Sequence, residues 1–173
     1  MDRTRTPIGE LMVVADGKGR LRATHFSDHE QALVRMLERQ YGANGFALEP
    51  ARNPGGLTAA IDAYFEGDLT AIDSLPVALV GTPFQRAVWT ALRGIPVGTT
   101  VSYSDLARRI DRPRAVRAVG LANGANPVGV VVPCHRVIGA DGRLVGYGGG
   151  IERKRWLLAH EAAARQAWPI GLR

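Results

Sequence analysis

The sequence predicts an α/β protein in two lobes. Residues 1–80 form an amino-terminal α/β lobe, a short sheet with helices, and residues 81–173 form a mostly helical lobe that holds a helix-turn-helix. Three observations carry this. Short apolar runs punctuated by glycine open the chain, apolar residues at helical spacing dominate most of the remainder, and the charge balance reverses near Gly81. Residues 1–80 carry 8 Lys and Arg against 11 Asp and Glu, net −3, whereas residues 81–173 carry 14 against 5, net +9. With 46% hydrophobic residues in 173, the chain is long and apolar enough to bury a core.

Leu11 to Ala15 and Leu21 to Phe26, separated by Gly17 and Gly19, read as two strands of a hairpin. Leu33, Leu37 and Tyr41 recur every four residues up to Gly42, and Leu57, Ile61 and Phe65 do so up to Gly67, so two amphipathic helices are expected. Between them, Ala43 to Gly56 has three Gly and two Pro and reads as a loop, and Leu75 to Val80 is a short strand candidate. Thr82-Pro83-Phe84-Gln85 is a capping box with proline at the first helical position; the helix it starts buries Phe84, Val88 and Leu92 and ends at Gly94. Either Ser102 or Ser104 can cap the next helix, with Leu106, Ala107 and Ile110, which Asp111-Arg112-Pro113 breaks.

A further helix begins near Arg114 and runs through Val116, Val119 and Ala122 to Gly124. Two short helices around a tight turn rich in arginine suit a helix-turn-helix, and equally an ordinary helical hairpin. Val128 to Val132 has the length and β-branching of a buried strand. Asp141-Gly142 between Val137-Ile138 and Leu144-Val145 signals a hairpin, and the glycine-rich segment Gly146 to Gly150 is a loop suited to close approach. A closing helix from about Ile151 carries Trp156, Leu157 and Leu158, with Glu161 one turn beyond Leu157.

Composition excludes several classes. No apolar run reaches the ~20 residues of a membrane span, and the first residues lack the apolar core of a signal peptide, so a cytoplasmic protein is expected. A single cysteine excludes an internal disulfide, a zinc finger and a dithiol redox centre. No metal or cofactor is expected. The formal charge of +6, concentrated in the second lobe, suits a polyanion; an arginine-rich solvated surface explains it equally.

A lone cysteine is ordinarily a small buried hydrophobe. Cys134, however, is followed directly by His135 and Arg136, a base and a fixed cation, and both favour the reactive thiolate. Pro133 is expected to end the preceding strand and present Cys134 at a sheet terminus. Direct contact between neighbouring side chains requires a turn; otherwise His135 acts through a water, oriented by one of the 16 carboxylates.

Pro133-Cys134-His135-Arg136-Val137 resembles the active-site signature of the O6-alkylguanine-DNA alkyltransferases, also called methylated-DNA-protein-cysteine methyltransferases. Phe84-Gln85 with Val88-Trp89, Ile95-Pro96 with Gly98, Ser102-Tyr103 with Leu106-Ala107, Arg117-Ala118-Val119-Gly120, Ala122-Asn123, Asn126-Pro127, Gly146 to Gly150 and Leu157-Leu158 with Glu161 resemble the family in order and spacing. The resemblance is dense over residues 82–161 and loose before them, through Thr6-Pro7-Ile8-Gly9 and Tyr64-Phe65 with Gly67.

The resemblance implies DNA repair by irreversible, single-turnover transfer of an alkyl group from O6-alkylguanine in duplex DNA to the Cys134 thiolate, with O4-alkylthymine an open second substrate. It implies that His135 takes the thiol proton through a water, that Glu161 orients His135 and that Asn126 is a hinge between recognition helix and active site. Arg117 resembles the finger that fills the space left by the flipped base, from the minor groove. Tyr103 resembles the residue that turns the phosphate and contacts the base, and small Ala115 lets the helix approach the backbone beside Ser102. Each has a plainer reading: a solvated arginine, a half-buried cap residue, a solvated glutamate. The base pocket is expected to use the carbonyls of Cys134 and Val137, the Gly148 amide, Tyr103 and Tyr147. Glycine at 129 and 148 suggests tolerance of alkyl groups larger than methyl. The expected partner is double-stranded DNA, with no membrane and no obligate protein partner; the chain is expected to be a monomer, with cooperative assembly on DNA open.

Two other classes compete. One is a protein that binds alkylated bases without reacting, which Cys134 argues against. The other is a sequence-specific regulator, but residues 114–123 are mostly small and apolar, with few groups to read base edges, and suit a minor-groove wedge better.

Overall fold

The computed structural model describes residues 1–167, with side chains described through Ala163; the last expected residues of the second lobe, 168–173, lie outside the described residues. Among the described residues no helix is long and apolar enough to cross a membrane.

The amino-terminal lobe is a three-stranded antiparallel sheet in the order β1 (Asp2–Thr6), β2 (Gly9–Ala15), β3 (Leu21–Phe26), with α1 (Glu30–Tyr41) and α2 (Leu57–Glu66). The expected hairpin is β2 and β3, with Leu11 opposite Phe26. Four consecutive β2 residues are buried because the sheet is covered on both faces. Met12 and Val14 pack with Leu33 and Leu37 of α1, while Leu11 and Val13 join Leu57, Ile61 and Tyr64 of α2 in the main core. β1 is invisible to an apolar reading, because Asp-Arg-Thr-Arg-Thr is a polar edge strand. Leu75 to Val80 is a correction: it shrinks to one parallel bridge between Val77 and Leu21. Pro76 has no N–H to extend the ladder.

The second lobe packs α3 (Pro83–Arg93), α4 (Tyr103–Arg109), α5 (Val116–Gly124) and α6 (Ile151–Ala167) around a two-stranded parallel pairing of β4 (Val101–Ser102) with β5 (Val137–Ile138). Thr82 and Gln85 form the expected capping box, and Trp89 rather than Phe84 is the fully buried anchor of α3, its indole N–H donating to the Ala122 carbonyl at 2.8 Å. Ser102 caps α4. α5 starts two residues later than expected, with Ala115 at its cap position, so α4 and α5 form the helix-turn-helix pair across a turn containing Asp111 at φ 56°.

Two further expectations are corrected. Val128 to Val132 is not a strand but a buried double turn: Val132 N–H donates to the Val128 carbonyl at 2.8 Å and Val131 N–H to that of Gly129 at 2.9 Å. Its β-branched residues reflect burial, which a turn shares with a strand. Around Asp141-Gly142 the turn closes with Gly139 N–H donating to the Arg143 carbonyl at 2.8 Å and Gly142 N–H to the Gly139 carbonyl at 3.0 Å, but no second strand succeeds it, and Val137-Ile138 pairs with β4 instead.

Strand β3 ties the lobes together. Thr24 N–H donates to the Pro127 carbonyl at 3.0 Å and its hydroxyl to that of Gly129 at 2.6 Å, so the sheet buttresses the turn that leads to Cys134. That turn holds Val130 at φ 71°, a left-handed conformation that a β-branched residue enters only when its surroundings impose it.

Candidate active site

Cys134 does not end a strand. It opens a single 3-10 turn, Cys134–Arg136, whose three residues are all buried. Cys134 N–H donates to the Val132 carbonyl at 2.8 Å and Arg136 N–H to that of Pro133 at 3.0 Å. The double turn before it is held by Asn126, whose Nδ2 donates to the Val132 carbonyl at 2.8 Å while its Oδ1 accepts from Val128 N–H at 3.0 Å. Burial pushes the thiol pKa up, and the neighbouring Asn126 amide opposes that rise.

Glu161, expected one turn beyond Leu157 on the closing helix, reaches this turn from α6. Its carboxylate is fully buried and accepts from His135 Nε2 at 2.9 Å, from Arg136 Nε and Nη2 at 2.9 and 2.8 Å, from Tyr64 Oη at 2.9 Å and from Gly98 N–H at 3.2 Å. Burial acts to raise its pKa, but the bonds from His135 and Arg136 outweigh it and hold the carboxyl well below its usual range. An ionised carboxylate only accepts, so Nε2 of His135 carries the proton and Nδ1 is the basic nitrogen. Burial lowers the His135 pKa against the pull of Glu161, which keeps the imidazole neutral near pH 7. Nδ1 is buried and has no hydrogen-bond partner in the protein. A neutral imidazole with a free lone pair, fixed by an ionised carboxylate, is the arrangement of a general base.

Cys134 lines a small cavity of about 100 Å³ between the lobes, together with Asn123, Asn126, Gly129, Tyr147 and Gly148, and with Thr24 and Phe26 of β3. A Cβ at Gly129 would lie 3.6 Å from Tyr147 Oη and one at Gly148 would meet nothing within 4 Å, whereas one at Gly149 would lie 2.9 Å from the Tyr147 ring. Close approach therefore requires glycine at 149. Burial raises the Tyr147 hydroxyl far above its ordinary range, so it is a neutral donor.

The remaining predicted residues sit on two rims. Tyr103 is the first residue of α4, half-buried, with its hydroxyl donating to the Val145 carbonyl at 3.3 Å. Ser102 spends its hydroxyl on the α4 cap, with Asp105 Oδ2 at 2.6 Å and Ser104 Oγ at 2.8 Å. Ala115 precedes α5, and Arg117 is exposed on its first turn. The Val137 carbonyl, expected in the base pocket, accepts from Lys154 Nζ at 2.6 Å.

Lys154, Tyr64 and the pairing of Arg136 with Glu161 escape sequence reasoning. Lys154 is one of two lysines in the chain and fully buried, its ammonium donating also to the Val145 and Gly146 carbonyls at 2.8 and 3.3 Å. It staples the strand after Cys134 to the start of the glycine loop, and its charge favours the thiolate. A lysine between Arg153 and Arg155, in a chain whose basic residues are otherwise nearly all arginine, is the only signal the sequence offers.

Comparison with known proteins identifies the family. The family described as 6-O-methylguanine DNA methyltransferase, DNA binding domain, matches residues 83–163, and its ribonuclease-like domain matches residues 3–79. A methylated-DNA–protein-cysteine methyltransferase of Shigella flexneri is 49% identical over 160 residues, covering 92% of this chain and 94% of its own. The crystal structure of Mycobacterium tuberculosis OGT in complex with DNA superposes with a TM-score of 0.79 at 40% identity, covering 94% of this chain and 92% of its own. The O6-methylguanine-DNA methyltransferase of Pyrococcus kodakaraensis superposes with a TM-score of 0.66 at 25% identity, covering 92% and 96%. With both lobes matched and a buried Cys-His-Glu site at their junction, the chain belongs to the 6-O-methylguanine DNA methyltransferase family.

Proposed function

We propose that this chain repairs DNA by accepting, once and irreversibly, the alkyl group of O6-alkylguanine on Cys134. The observation that carries this is the sole cysteine in the wall of an interlobe cavity, followed by a histidine whose Nε2 is bound to an ionised glutamate and whose Nδ1 lone pair is free.

In the resting protein, burial keeps Cys134 a thiol. His135 Nδ1 takes the thiol proton through a bridging water, and Glu161 stabilises the imidazolium that forms. The Sγ lone pair attacks the alkyl carbon, the carbon–O6 bond breaks, and the electron pair leaves with O6; the resulting guanine anion takes a proton from water at its ring nitrogen, and the imidazolium of His135 gives its Nδ1 proton back to water, so the charge balances. The thioether is a poor leaving group, so the site does not turn over.

A stacked base hides its O6 atom, so the nucleotide is extruded through the minor groove. The exposed Arg117 fills the gap, Ala115 and Ser102 lie against the backbone, and Tyr103 contacts the flipped base. Tyr147 and the Gly148 amide line the pocket. Double-stranded DNA is the partner, bound by a monomer chiefly through phosphate neutralisation by the basic lobe.

Intact-protein mass after incubation with a duplex bearing one O6-methylguanine tests the reading. A gain of one methyl group, absent in Cys134→Ser, is expected; no gain with retained binding would instead indicate a non-reacting damage binder.

A further inference from the structure

The outward face of α5 is almost without polar groups. Within Val116–Gly124, Arg117 is the only residue that is exposed and carries a hydrogen-bonding side chain, because Asn123 is buried. Leu121 follows Arg117 by four residues, so the two share a face, about 6 Å apart along the helix axis. Leu121 is 72% exposed, the most of any large apolar side chain among the described residues. Its exposed neighbours on that face, Ala118, Gly124 and Ala125, are small, so the leucine stands out from the helix surface. The other two exposed large apolar residues adjoin the same region. Val116 opens α5, and Val145 precedes the glycine loop with its carbonyl accepting from Tyr103. Single apolar residues scattered over a surface are ordinary, but these three gather where Arg117 and Tyr103 are.

Charge and position identify what covers this face. Across residues 109–117, Arg109, Arg112, Arg114 and Arg117 are all exposed against the single acid Asp111, and the lobe matches the family's DNA binding domain. Such a surface meets phosphates. Given the alkyltransferase reading above, on which this inference rests, Arg117 enters the space of the extruded nucleotide. Base pairs rise by about 3.4 Å per step, so a side chain about 6 Å further along α5 meets a pair beside the lesion. In the minor groove both kinds of pair present acceptors, and only G·C adds a donor, the guanine 2-amino group. An apolar side chain laid on that group strips its water and offers no acceptor, whereas the adenine C2–H of an A·T pair loses nothing. We propose that Leu121 packs on the minor-groove edge of a base pair flanking the lesion, which makes it a specificity-determining residue for sequence context, with A·T favoured over G·C.

The test is single-turnover transfer from duplexes carrying one O6-methylguanine. The pair on each side of it is set in turn to A·T, G·C and hypoxanthine·C, which lacks only the 2-amino group of G·C. On one side of the lesion, wild type is expected to react about fivefold or more faster with A·T and hypoxanthine·C than with G·C, the cost of one unpaired amino group. Weaker pairing beside the lesion also eases extrusion, so variants at 121 separate the two causes. Leu121 is exposed, so its replacement spares the core. In Leu121→Ala the preference is expected to fall to within about twofold. In Leu121→Asn, whose amide oxygen can accept from the amino group, hypoxanthine·C is expected to lose its advantage over G·C. Equal wild-type rates with hypoxanthine·C and G·C overturn the inference, and so does a preference that Leu121→Ala leaves unchanged. Loss of self-association in Leu121→Ala alongside that unchanged preference would assign the face to a second copy of the chain instead. Binding of the same duplexes by Cys134→Ser repeats the comparison without the chemistry. The same order of affinities is expected, and equal affinities overturn the inference. Absence of transfer by wild type, with that order retained, would sink the alkyltransferase reading and leave the Leu121 contact standing, so the two failures are distinct.

Discussion

The Tyr64 hydroxyl donates to Glu161 Oε1 at 2.9 Å, so a residue of the amino-terminal lobe holds the same carboxylate oxygen that accepts from His135. The lobe without the cysteine therefore helps set the basicity of the site. Tyr64→Phe is expected to cost about 1–3 kcal/mol of stability. With one donor fewer, Glu161 pulls harder on the His135 proton, so the acid limb of the transfer rate should move to higher pH. A pH series of single-turnover rates in the variant checks this; an unshifted limb would confine Tyr64 to packing.

Glu161→Gln leaves the Arg136 guanidinium buried without its charge partner. Breaking a buried pair in this way costs about 3–5 kcal/mol, and loss of the oriented base should slow transfer by about 10²–10⁴-fold. Wild-type stability carries the matching pH signature. The folded pKa of Glu161 lies below its ordinary 4.5, so its contribution is complete above that value and drains as pH falls below it. His135 acts in the same direction: its folded pKa lies below its ordinary 6.5, so protonation as pH falls through that region disfavours the fold. Urea midpoints measured from neutral to acid pH should fall in wild type and fall less in Glu161→Gln.

Lys154→Met removes the ammonium from the carbonyls of Val137, Val145 and Gly146. Losing these charge-assisted bonds is expected to cost about 3 kcal/mol or more. Its positive charge also favours the Cys134 thiolate, so the thiol pKa should rise further above the ordinary 9.0. Thermal melting and the pH dependence of thiol alkylation by a small reagent measure the two effects separately.

Arg117 is exposed on the first turn of α5. If it fills the space of a flipped base, Arg117→Ala should slow transfer from duplex DNA by about tenfold or more while leaving transfer from the free modified base unchanged, since only the duplex demands extrusion. Affinity for undamaged duplex should fall steeply with salt in both proteins. Equal losses on both substrates would place Arg117 outside the extrusion step.

Two glycines in the cavity wall leave it open. A Cβ at Gly148 meets nothing within 4 Å and one at Gly129 only the Tyr147 hydroxyl and Thr24. Wild type should accept a benzyl group from O6-benzylguanine in a gel transfer assay, and Gly129→Leu should abolish this while retaining methyl transfer.

Capping chemistry and helical spacing are local, so the sequence by itself determined α1 through α6, the β2–β3 hairpin and the adjacency of Cys134 and His135 along the chain. The residues that write those elements are contiguous, and each carries its own stereochemical preference. Tertiary structure alone decided the rest. Val128 to Val132 reads as a strand because burial selects branched apolar side chains in any conformation, and only the bonds from Thr24 and Asn126 bend it into turns. Lys154 and Tyr64 could not be placed from sequence because their value lies in partners 8 to 97 residues away. The choice of Glu161 among the carboxylates came from family resemblance, and its geometry came from the packing of α6 against the Cys134 turn. Side-chain polar groups at that range meet only after the core has brought the two lobes together, because a buried hydrogen bond depends on where the backbone ends up in space rather than on its order along the chain.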